Sequence, residues 1–187
     1  MIIGVTGHKY NGKDTVADYY VKHYGYVKLS FANPLKKVAK ILFNFNDRQL
    51  YGDLKEEVDA RWDITPRQAM QFIGTEMVRD NIGKLLPHIG NDFWAYSTIQ
   101  HIKEELLINP HSKFIISDVR FPNEVEMLRS VVIDSKKIPS RIIRVKRPSV
   151  PMNESSLHES EIHINNLLVD EEIINDGDLE MLYAKIK

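Results

Sequence analysis

Near the amino terminus, the stretch GVTGHKYNGKDT has the residue types and spacing of a loop that binds phosphate groups. The usual pattern is a glycine, any four residues, then Gly-Lys and a serine or threonine. Gly7, Gly12 and Lys13 fit this pattern, and Asp14 stands where the hydroxyl residue is expected. Glycines let successive backbone N–H groups surround phosphate oxygens, and the lysine adds a mobile positive charge. The stretch predicts nucleotide binding and leaves the role of Asp14 open.

The elements around this loop have the order that a phosphate-binding loop requires. The apolar run MIIGVT before it predicts a buried strand, and a helical spacing begins at Lys13 and ends at Gly25. Further strands are predicted at YVKLSF, KFIISDV and RIIRVKR, helices at NPLKKVAKILF, ITPRQAMQFIGTEMVRDN, DFWAYSTIQHIKEELLIN and NEVEMLRSVVI, and a strand and helix in EEIINDGDLEMLYAKI. This alternation predicts an α/β fold with a parallel sheet and right-handed crossovers.

Two of these helices have recognisable starts. Asn33 is expected to cap the helix NPLKKVAKILF. Helical spacing would place on one face of it Leu35, Val38 and Leu42. Thr65 is expected to cap the second, with a proline at its first helical position. Gly74 is a weak point within that second helix because glycine has a low helix propensity.

Composition indicates a single soluble domain. The chain has 187 residues, of which 43% are hydrophobic and 27% charged. A net charge of -1 argues against a protein dedicated to nucleic acid or to a membrane surface. The chain has no cysteine, which excludes disulfides and fits a reducing cytoplasm. Its opening apolar run is too short for a signal peptide or a spanning helix, so an intracellular protein is expected.

Several longer blocks are more specific than the loop alone: GHKYNGKDTVADYY, LSFANPLKK, TPRQAMQFIGTEMVRDNI, DFW, SDVRFPNE, RPSVPMNE and INDGDLEMLYAKIK. Together they resemble the deoxynucleoside monophosphate kinases of bacteriophages, and the Gly-Lys-Asp-Thr form of the loop is typical of that group. The resemblance implies transfer of the ATP γ-phosphoryl group to a deoxynucleoside monophosphate, with Mg²⁺ as cofactor. It also implies a cytoplasmic location, in the host if the protein is phage-encoded, and suggests a homodimer.

The resemblance further implies a three-layer P-loop kinase fold, in which a central parallel five-stranded sheet has helices on both faces. One domain would cover residues 1–187, with a helical acceptor-binding insertion at about 33–95. A small lid is expected at about 147–165, where prolines, serines and charges cluster. This lid would carry Arg147 over the phosphates, and an ordinary loop is the alternative.

On the donor side, the resemblance implies that ATP phosphates are held by Lys9, Asn11, Gly12, Lys13, Asp14 and Thr15. Magnesium would be approached by the hydroxyl of Thr15 or by the carboxylate of Asp14. The alternative role of that carboxylate is to cap the helix, since negative charge is favoured at a helix N-terminus.

On the acceptor side, Asp118 and Arg120 follow an apolar strand directly, so they are expected at the carboxyl edge of the sheet, where ligands bind. With Lys13, they are the residues to which the resemblance gives catalytic roles. It implies deoxynucleotide contacts for Phe31, Lys36, Arg67, Gln71, Trp94, Asp118, Arg120 and Glu124. The guanidinium of Arg67 could grip a monophosphate through two bonds.

Several of these acceptor-side residues have plainer alternatives. Core packing is the alternative for Phe31 and Trp94, a solvated helix face for Arg67, and a loop or capping role for Asp118. Two other functions also stay open: a different small-molecule P-loop kinase, such as a dephospho-coenzyme A or phosphomevalonate kinase, and a non-catalytic nucleotide-binding module. The positively charged side chains predicted on the acceptor side argue against a non-catalytic binding module, because a protein that only binds ATP would not need them.

Overall fold

The main sheet of the protein consists of parallel strands. The structure, a computed structural model, describes residues 1–150 and 163–186. The strands are β1 (Ile2–Thr6), β2 (Val27–Leu29), β3 (Phe114–Val119), β4 (Val132–Ile133), β5 (Lys136–Lys137), β6 (Ser140–Lys146) and β7 (Glu171–Ile174). Five of them form a sheet in the order β2-β3-β1-β6-β7, and every pairing in it is parallel. The predicted parallel five-stranded sheet is therefore confirmed, and β4 and β5 form a separate antiparallel hairpin.

Helices occupy the stretches between these strands. They are α1 (Lys13–Tyr24), α2 (Asn33–Phe43), α3 (Asp47–Tyr51), α4 (Pro66–Gln71), α5 (Phe93–Ile108), α6 (Pro122–Arg129) and α7 (Leu179–Ala184). A π-helical segment, Phe72–Arg79, continues directly from α4. In the part of the chain that the structure describes, no helix combines the length and the apolar character needed to cross a membrane.

The central strand β1 is buried along its whole length, as expected for a strand with neighbours on both sides and helices around it. Ile3 and Val5 belong to the same core cluster as Val16 and Ala17 of α1. Helix α1 ends as the sequence predicts, because Gly25 adopts a left-handed conformation with a φ of 69°. The first strand and first helix are thus fixed by the core, and the loop between them is held at both ends.

The chain divides into two compact units. The sheet unit comprises Met1–Ser30 and Ile99–Lys187, and the helical unit is Phe31–Thr98. The helical unit has its own core, formed by Ala39, Phe45, Leu50, Ala69, Met70 and Ile73. Its bounds lie close to those expected for an acceptor-binding insertion at 33–95, and acceptor binding by this unit remains a prediction.

Helix α2 differs from its prediction in two details. The residue before its first turn is Ala32, and Asn33 is already helical, so the prediction of Asn33 as the cap is wrong. The buried side of the helix carries Ala39, with Leu35 packed beside it against the core of the helical unit. Val38 and Leu42 are instead exposed. Apolar residues cover more than one face of this helix, and spacing alone cannot tell which face finds a partner.

The start of α4 is confirmed by a reciprocal cap. The Thr65 hydroxyl accepts a hydrogen bond of 3.1 Å from the backbone of Gln68, whose side chain accepts one of 2.8 Å from the backbone of Thr65. Gly74 lies in the π-helical segment, where a Cβ atom would stand 3.0 Å from Leu35. The absence of a side chain lets this segment approach α2 closely.

Candidate active site

The glycines of the predicted phosphate-binding loop occupy backbone conformations that other residues resist. The loop joins β1 to α1, and Gly7 and Gly12 have φ angles of 145° and 98°. A Cβ atom on Gly7 would collide with the backbone carbonyl oxygen of Val145, and one on Gly12 would lie 2.8 Å from the side chain of Asn175. Both positions therefore require glycine for reasons of conformation and of space.

The side chains of two asparagines connect the loop by hydrogen bonds to the ends of β6 and β7. The side-chain amide of Asn11 donates to the carbonyl oxygen of Val145 at 3.0 Å, and that of Asn175 donates to the carbonyl oxygen of Asn11 at 3.0 Å. The backbone amide of Asn175 donates to the carbonyl oxygen of Lys146 at 2.7 Å. Both side chains are buried. The loop backbone is thus anchored where β6 and β7 end, which preorganises it.

Lys13 reaches back over the loop from the first turn of α1. Its ammonium group donates a hydrogen bond of 2.8 Å to the carbonyl oxygen of His8. The His8 ring lies 3.1 Å, through Nε2, from the side-chain oxygen of Asn165. The ammonium of Lys9, also a loop residue, is 4.9 Å from the centre of the Tyr10 ring. The structure therefore brings the Lys13 charge onto the loop itself and leaves Lys9 beside an exposed aromatic ring.

Asp14 makes an ion pair that its position in the sequence does not reveal. Its carboxylate lies 2.8 Å from the ammonium of Lys28 on β2 and also accepts a hydrogen bond from the Ser117 side chain on β3. Burial alone would raise the pKa of Asp14, but the hydrogen bonds and the positive charges of Lys28 and Lys13 lower it overall. Asp14 is consequently ionised at neutral pH. The residue that precedes the helix is Gly12, which makes no side-chain cap, and Asp14 lies in the first turn of α1, where its negative charge is favoured by the helix N-terminus.

Asp118 and Arg120 lie where the sequence places them, at the carboxyl end of β3. Since Thr6 pairs with Val119, this end of β3 is beside the strand that enters the phosphate-binding loop. Glu124, in the first turn of α6, is buried, and its carboxylate accepts hydrogen bonds from the backbone amides of Arg120 at 2.6 Å and Phe121 at 3.1 Å. Glu124 therefore fixes the backbone that carries Arg120, and its predicted contact with the deoxynucleotide stays a prediction.

A cavity of about 380 Å³ opens next to the phosphate-binding loop. Its lining consists of His8, Asn11, Lys146, Arg147, Pro148, Val150 and Asn165. Two loop residues and two consecutive basic residues thus share one concave space, which suits a negatively charged ligand. The predicted lid begins here with Arg147, and most of it, residues 151–162, lies outside the described residues.

The acceptor-side residues of the helical unit have partners within that unit. Arg67 forms an ion pair with Glu56, and the Lys36 ammonium is 4.3 Å from the centre of the Tyr51 ring. Gln71 is exposed at the end of α4. Arg67 is partly exposed, so its guanidinium can exchange Glu56 for another anion.

The two aromatic residues predicted to contact the deoxynucleotide are buried. Phe31 is 4% exposed and Trp94 is 9% exposed, and the Trp94 indole donates a hydrogen bond of 3.0 Å to the carbonyl oxygen of Gly74. Stacking on a base requires an open ring face, so this burial favours the packing alternative for both residues. The Trp94 hydrogen bond also satisfies a carbonyl of the π-helical segment.

The start of α1 offers oxygen donors of the kind that magnesium prefers. Asp14 supplies a carboxylate and Thr15 a hydroxyl, and Mg²⁺ is commonly bound by one or two such groups together with substrate phosphates. Within residues 1–150 and 163–186, no three His, Cys, Asp or Glu side chains gather into a metal site. The donor types of Asp14 and Thr15 fit a magnesium ion that is also bound by substrate phosphates.

Asn175, Lys28 and Ser117 are the residues of this site that sequence reasoning missed. Asn175 directly follows the strand EEII, whose last two residues are apolar, and so carries a weaker form of the signal that identified Asp118. Lys28 and Ser117 are polar residues inside strands, and strand alternation marks their position without revealing their partner. Their roles depend on which strands are neighbours.

Comparisons with known proteins support the resemblance seen in the sequence. A family model described as deoxynucleotide monophosphate kinase matches residues 47–186. A protein of Acanthamoeba polyphaga mimivirus, named provisionally as a deoxynucleotide monophosphate kinase, is 32% identical over 190 residues, covering 100% of this chain and 94% of the relative. The deoxynucleoside-5'-monophosphate kinase of Escherichia phage T5 is 30% identical over 133 residues, which is 71% of this chain and 48% of the phage enzyme.

Among solved structures, a dephospho-CoA kinase from Campylobacter jejuni aligns over 99% of this chain and 93% of its own, with a TM-score of 0.47 and 16% identity. The family follows from the sequence matches. Since the family model covers residues 47–186 and the mimivirus relative matches along its length, the chain belongs to the deoxynucleotide monophosphate kinase family.

Proposed function

We propose that the protein transfers the γ-phosphoryl group of ATP to a deoxynucleoside monophosphate. A phosphate oxygen of the monophosphate attacks the γ-phosphorus, the bond from that phosphorus to the β,γ-bridging oxygen breaks, and ADP and a deoxynucleoside diphosphate result. The observation that carries this proposal is the anchored glycine loop with Lys13 at the start of α1, in a chain of this kinase family. Such a reaction needs positioning and charge neutralisation more than covalent chemistry by the protein.

The donor half of the site would hold the ATP phosphates through the loop backbone. N–H groups of the loop and of the first turn of α1 would donate to the phosphate oxygens, and the positive end of the helix dipole favours anions there. Lys13 then neutralises charge that develops on the transferred group. Asn11 acts on ATP through the loop conformation, because its side-chain amide is bonded to Val145. Lys146 and Arg147 supply positive charge from the other wall of the cavity.

We assign the approach to magnesium to Thr15. The Asp14 carboxylate is already paired with Lys28, whereas the Thr15 hydroxyl stands one residue further along the first turn of α1. Magnesium bound with ATP would supply further neutralisation of the phosphate oxygens. The hydroxyl of Thr15 would orient that ion relative to the loop.

The acceptor half would use cations that bind the monophosphate. Arg120 is the one whose backbone is fixed most clearly, because Glu124 holds the turn after β3. Asp118 next to it would orient the acceptor, and Arg67 and Lys36 of the helical unit would bind the monophosphate and exchange their present partners for it. Arginine suits this task because its planar fork can donate two parallel bonds to a phosphate.

A coupled assay of ADP release tests this function. The purified protein is supplied with MgATP and, separately, with dAMP, dGMP, dTMP, dCMP, the matching ribonucleotides, dephospho-coenzyme A and phosphomevalonate. ADP release that depends on at least one deoxynucleoside monophosphate is the expected result. Release only with dephospho-coenzyme A or phosphomevalonate would indicate a different small-molecule kinase, and ATP binding without any release would indicate a binding module.

A further inference from the structure

Asp14 introduces a negative charge into a loop whose ligand is itself strongly negative. It follows Lys13 directly and lies in the first turn of α1, the part of the site that the phosphates approach. A carboxylate in that turn would repel a triphosphate unless its charge were compensated. The side chain that compensates it comes from another element of the sheet unit, the edge strand β2.

The compensating residue is Lys28, which bridges two carboxylates of one helix face. Its ammonium lies 2.8 Å from Asp14 and 2.8 Å from Asp18, which are four residues apart on α1 and so share a face. The Lys28 side chain is 30% exposed, whereas those of Asp14 and Asp18 are 74% and 66% exposed. The buried Ser117 on β3 donates a further hydrogen bond to Asp14. The carboxylate of Asp14 is thus held by groups from two neighbouring strands.

The contribution of these ion pairs to the stability of the fold is small. Ion pairs between exposed side chains contribute about 0 to 1 kcal/mol to folding. An uncompensated negative charge next to bound phosphates would matter more, because like charges a few ångströms apart repel each other directly and the phosphates carry several negative charges. The arrangement therefore acts on the ligand more strongly than on the fold.

We propose that Lys28 is a positioning residue of the phosphate-binding loop, which holds the Asp14 carboxylate toward the sheet and cancels its repulsion of the nucleotide phosphates. This inference rests on the proposed binding of ATP to the loop. It assigns no metal to Asp14, and it predicts an effect that persists when magnesium is removed. Asp18, the second partner of Lys28, lies one turn further from the loop and serves as the matched control.

The test measures dissociation constants by titration calorimetry for ATP and for adenosine, in EDTA and again with magnesium. Lys28→Met is expected to weaken ATP binding in EDTA roughly ten-fold, the scale of one lost charge interaction near a surface, with adenosine binding unchanged. Adding Asp14→Asn to Lys28→Met should restore ATP binding because the repelling charge is gone. Adding Asp18→Asn should restore much less, and Lys28→Arg should stay close to the wild type.

A second measurement does not depend on how well the Lys28 variant folds. Asp14→Asn alone keeps the shape of the side chain and leaves Lys28 in place, so it should bind ATP in EDTA at least as tightly as the wild type. Weaker binding by Asp14→Asn, or equal losses for ATP and adenosine in Lys28→Met, would overturn the proposal. The inference about Lys28 and the proposed binding of ATP can fail separately. If the wild type binds ATP neither in EDTA nor with magnesium, the proposed binding of ATP to the loop fails. If the wild type binds ATP and the variants behave otherwise than expected, only the inference about Lys28 fails.

Discussion

The side-chain amide of Asn175 donates a hydrogen bond to the carbonyl oxygen of Asn11, across 3.0 Å, and so joins the first loop of the chain to the end of its last strand. Asn175 also fills the space in which Gly12 would otherwise carry a Cβ atom. The phosphate-binding loop is therefore shaped by a residue far away in sequence. A loop held in this way loses little entropy when it binds phosphate, because its N–H groups are already oriented.

Replacing Asn175 by alanine should weaken ATP binding. The variant leaves the buried carbonyl oxygen of Asn11 without this donor, at a cost of about 1 to 3 kcal/mol in folding free energy. Relaxation of the loop should raise KM for ATP more than KM for the monophosphate. Thermal unfolding and steady-state kinetics measure the two effects. The exposed Asn109 provides the matched control, since Asn109→Ala should change neither KM, and an unchanged KM for ATP in Asn175→Ala would contradict the anchoring role.

Removal of the Lys13 ammonium should reduce turnover more than ground-state binding. Its charge opposes the negative charge that develops on the transferred phosphoryl group, so Lys13→Ala should lose about 2 to 4 kcal/mol of transition-state stabilisation. Rates at saturating ATP and monophosphate provide the measurement. Lys22, in the last turn of the same helix, is the control, and Lys22→Ala should keep its kcat. Turnover near the wild-type value in Lys13→Ala would remove the phosphate-loop interpretation.

The variant Arg67→Lys distinguishes an effect on monophosphate binding from an effect on ATP binding. Lysine keeps the positive charge but loses the planar fork, so KM for the monophosphate should rise well above any change in KM for ATP. The control is Arg48→Lys, because Arg48 is also paired with a carboxylate of the helical unit, that of Asp53, and has no proposed contact with substrate. Equal changes of the two KM values in Arg67→Lys would argue against the acceptor assignment.

The sequence predicts the elements of this protein better than their contacts. Alternation of apolar runs with helical spacing is a local property, which is why the parallel sheet, the start of α1 and the cap at Thr65 follow from it. The partner of Asp14 could not be predicted, because Lys28 reaches it only through the neighbouring positions of α1 and β2. For the same reason the spacing of α2 does not tell which of its residues are buried, since its partner is the core of the helical unit.

The acceptor-side residues illustrate a second limit of sequence reasoning. A residue type indicates what a side chain can do, and burial decides whether it is free to do it. Glu124 has the chemistry to contact a nucleotide, yet its carboxylate accepts two backbone hydrogen bonds. Trp94 has a ring suited to stacking, yet it packs inside the helical unit. Their predicted substrate contacts therefore need kinetic tests.

The stability of the helical unit should depend on pH through Asp59. Hydrogen bonds from Arg61 and Gln49 lower the pKa of this carboxyl well below its ordinary value. A depressed pKa contributes stability above the unfolded-state value, near 3.8, and that contribution is lost as the pH falls further. Denaturant unfolding of Asp59→Asn and wild type should therefore differ most at pH 7 and progressively less below about pH 4. A difference between Asp59→Asn and wild type that stays constant over this pH range would contradict this role.

Discrimination between deoxyribose and ribose is the property that defines the substrate class. An enzyme that selects the deoxy form must leave a ribose 2′-hydroxyl without a partner or press an apolar group against it. Desolvating an unpaired hydroxyl costs about 1 to 3 kcal/mol, which corresponds to a preference of roughly 5- to 150-fold in kcat/KM. The measurement compares dGMP with GMP and dTMP with UMP at saturating MgATP.

The roles of Phe31, Trp94 and Glu124, which are predicted to contact the deoxynucleotide, can be distinguished by the same ratio of kcat/KM values. Phe31 and Trp94 are buried, so their replacement would change the helical unit as a whole and both nucleotides together. A change in the turn after β3 acts differently: Glu124→Gln keeps the side-chain shape and weakens the bonds that fix Arg120, so kcat/KM should fall for dGMP and GMP alike while their ratio is preserved. A ratio that shifts in Glu124→Gln would place Glu124 against the sugar. Equal kcat/KM values for deoxy- and ribonucleotides in the wild type would remove the deoxynucleotide assignment and leave the phosphate-loop argument intact.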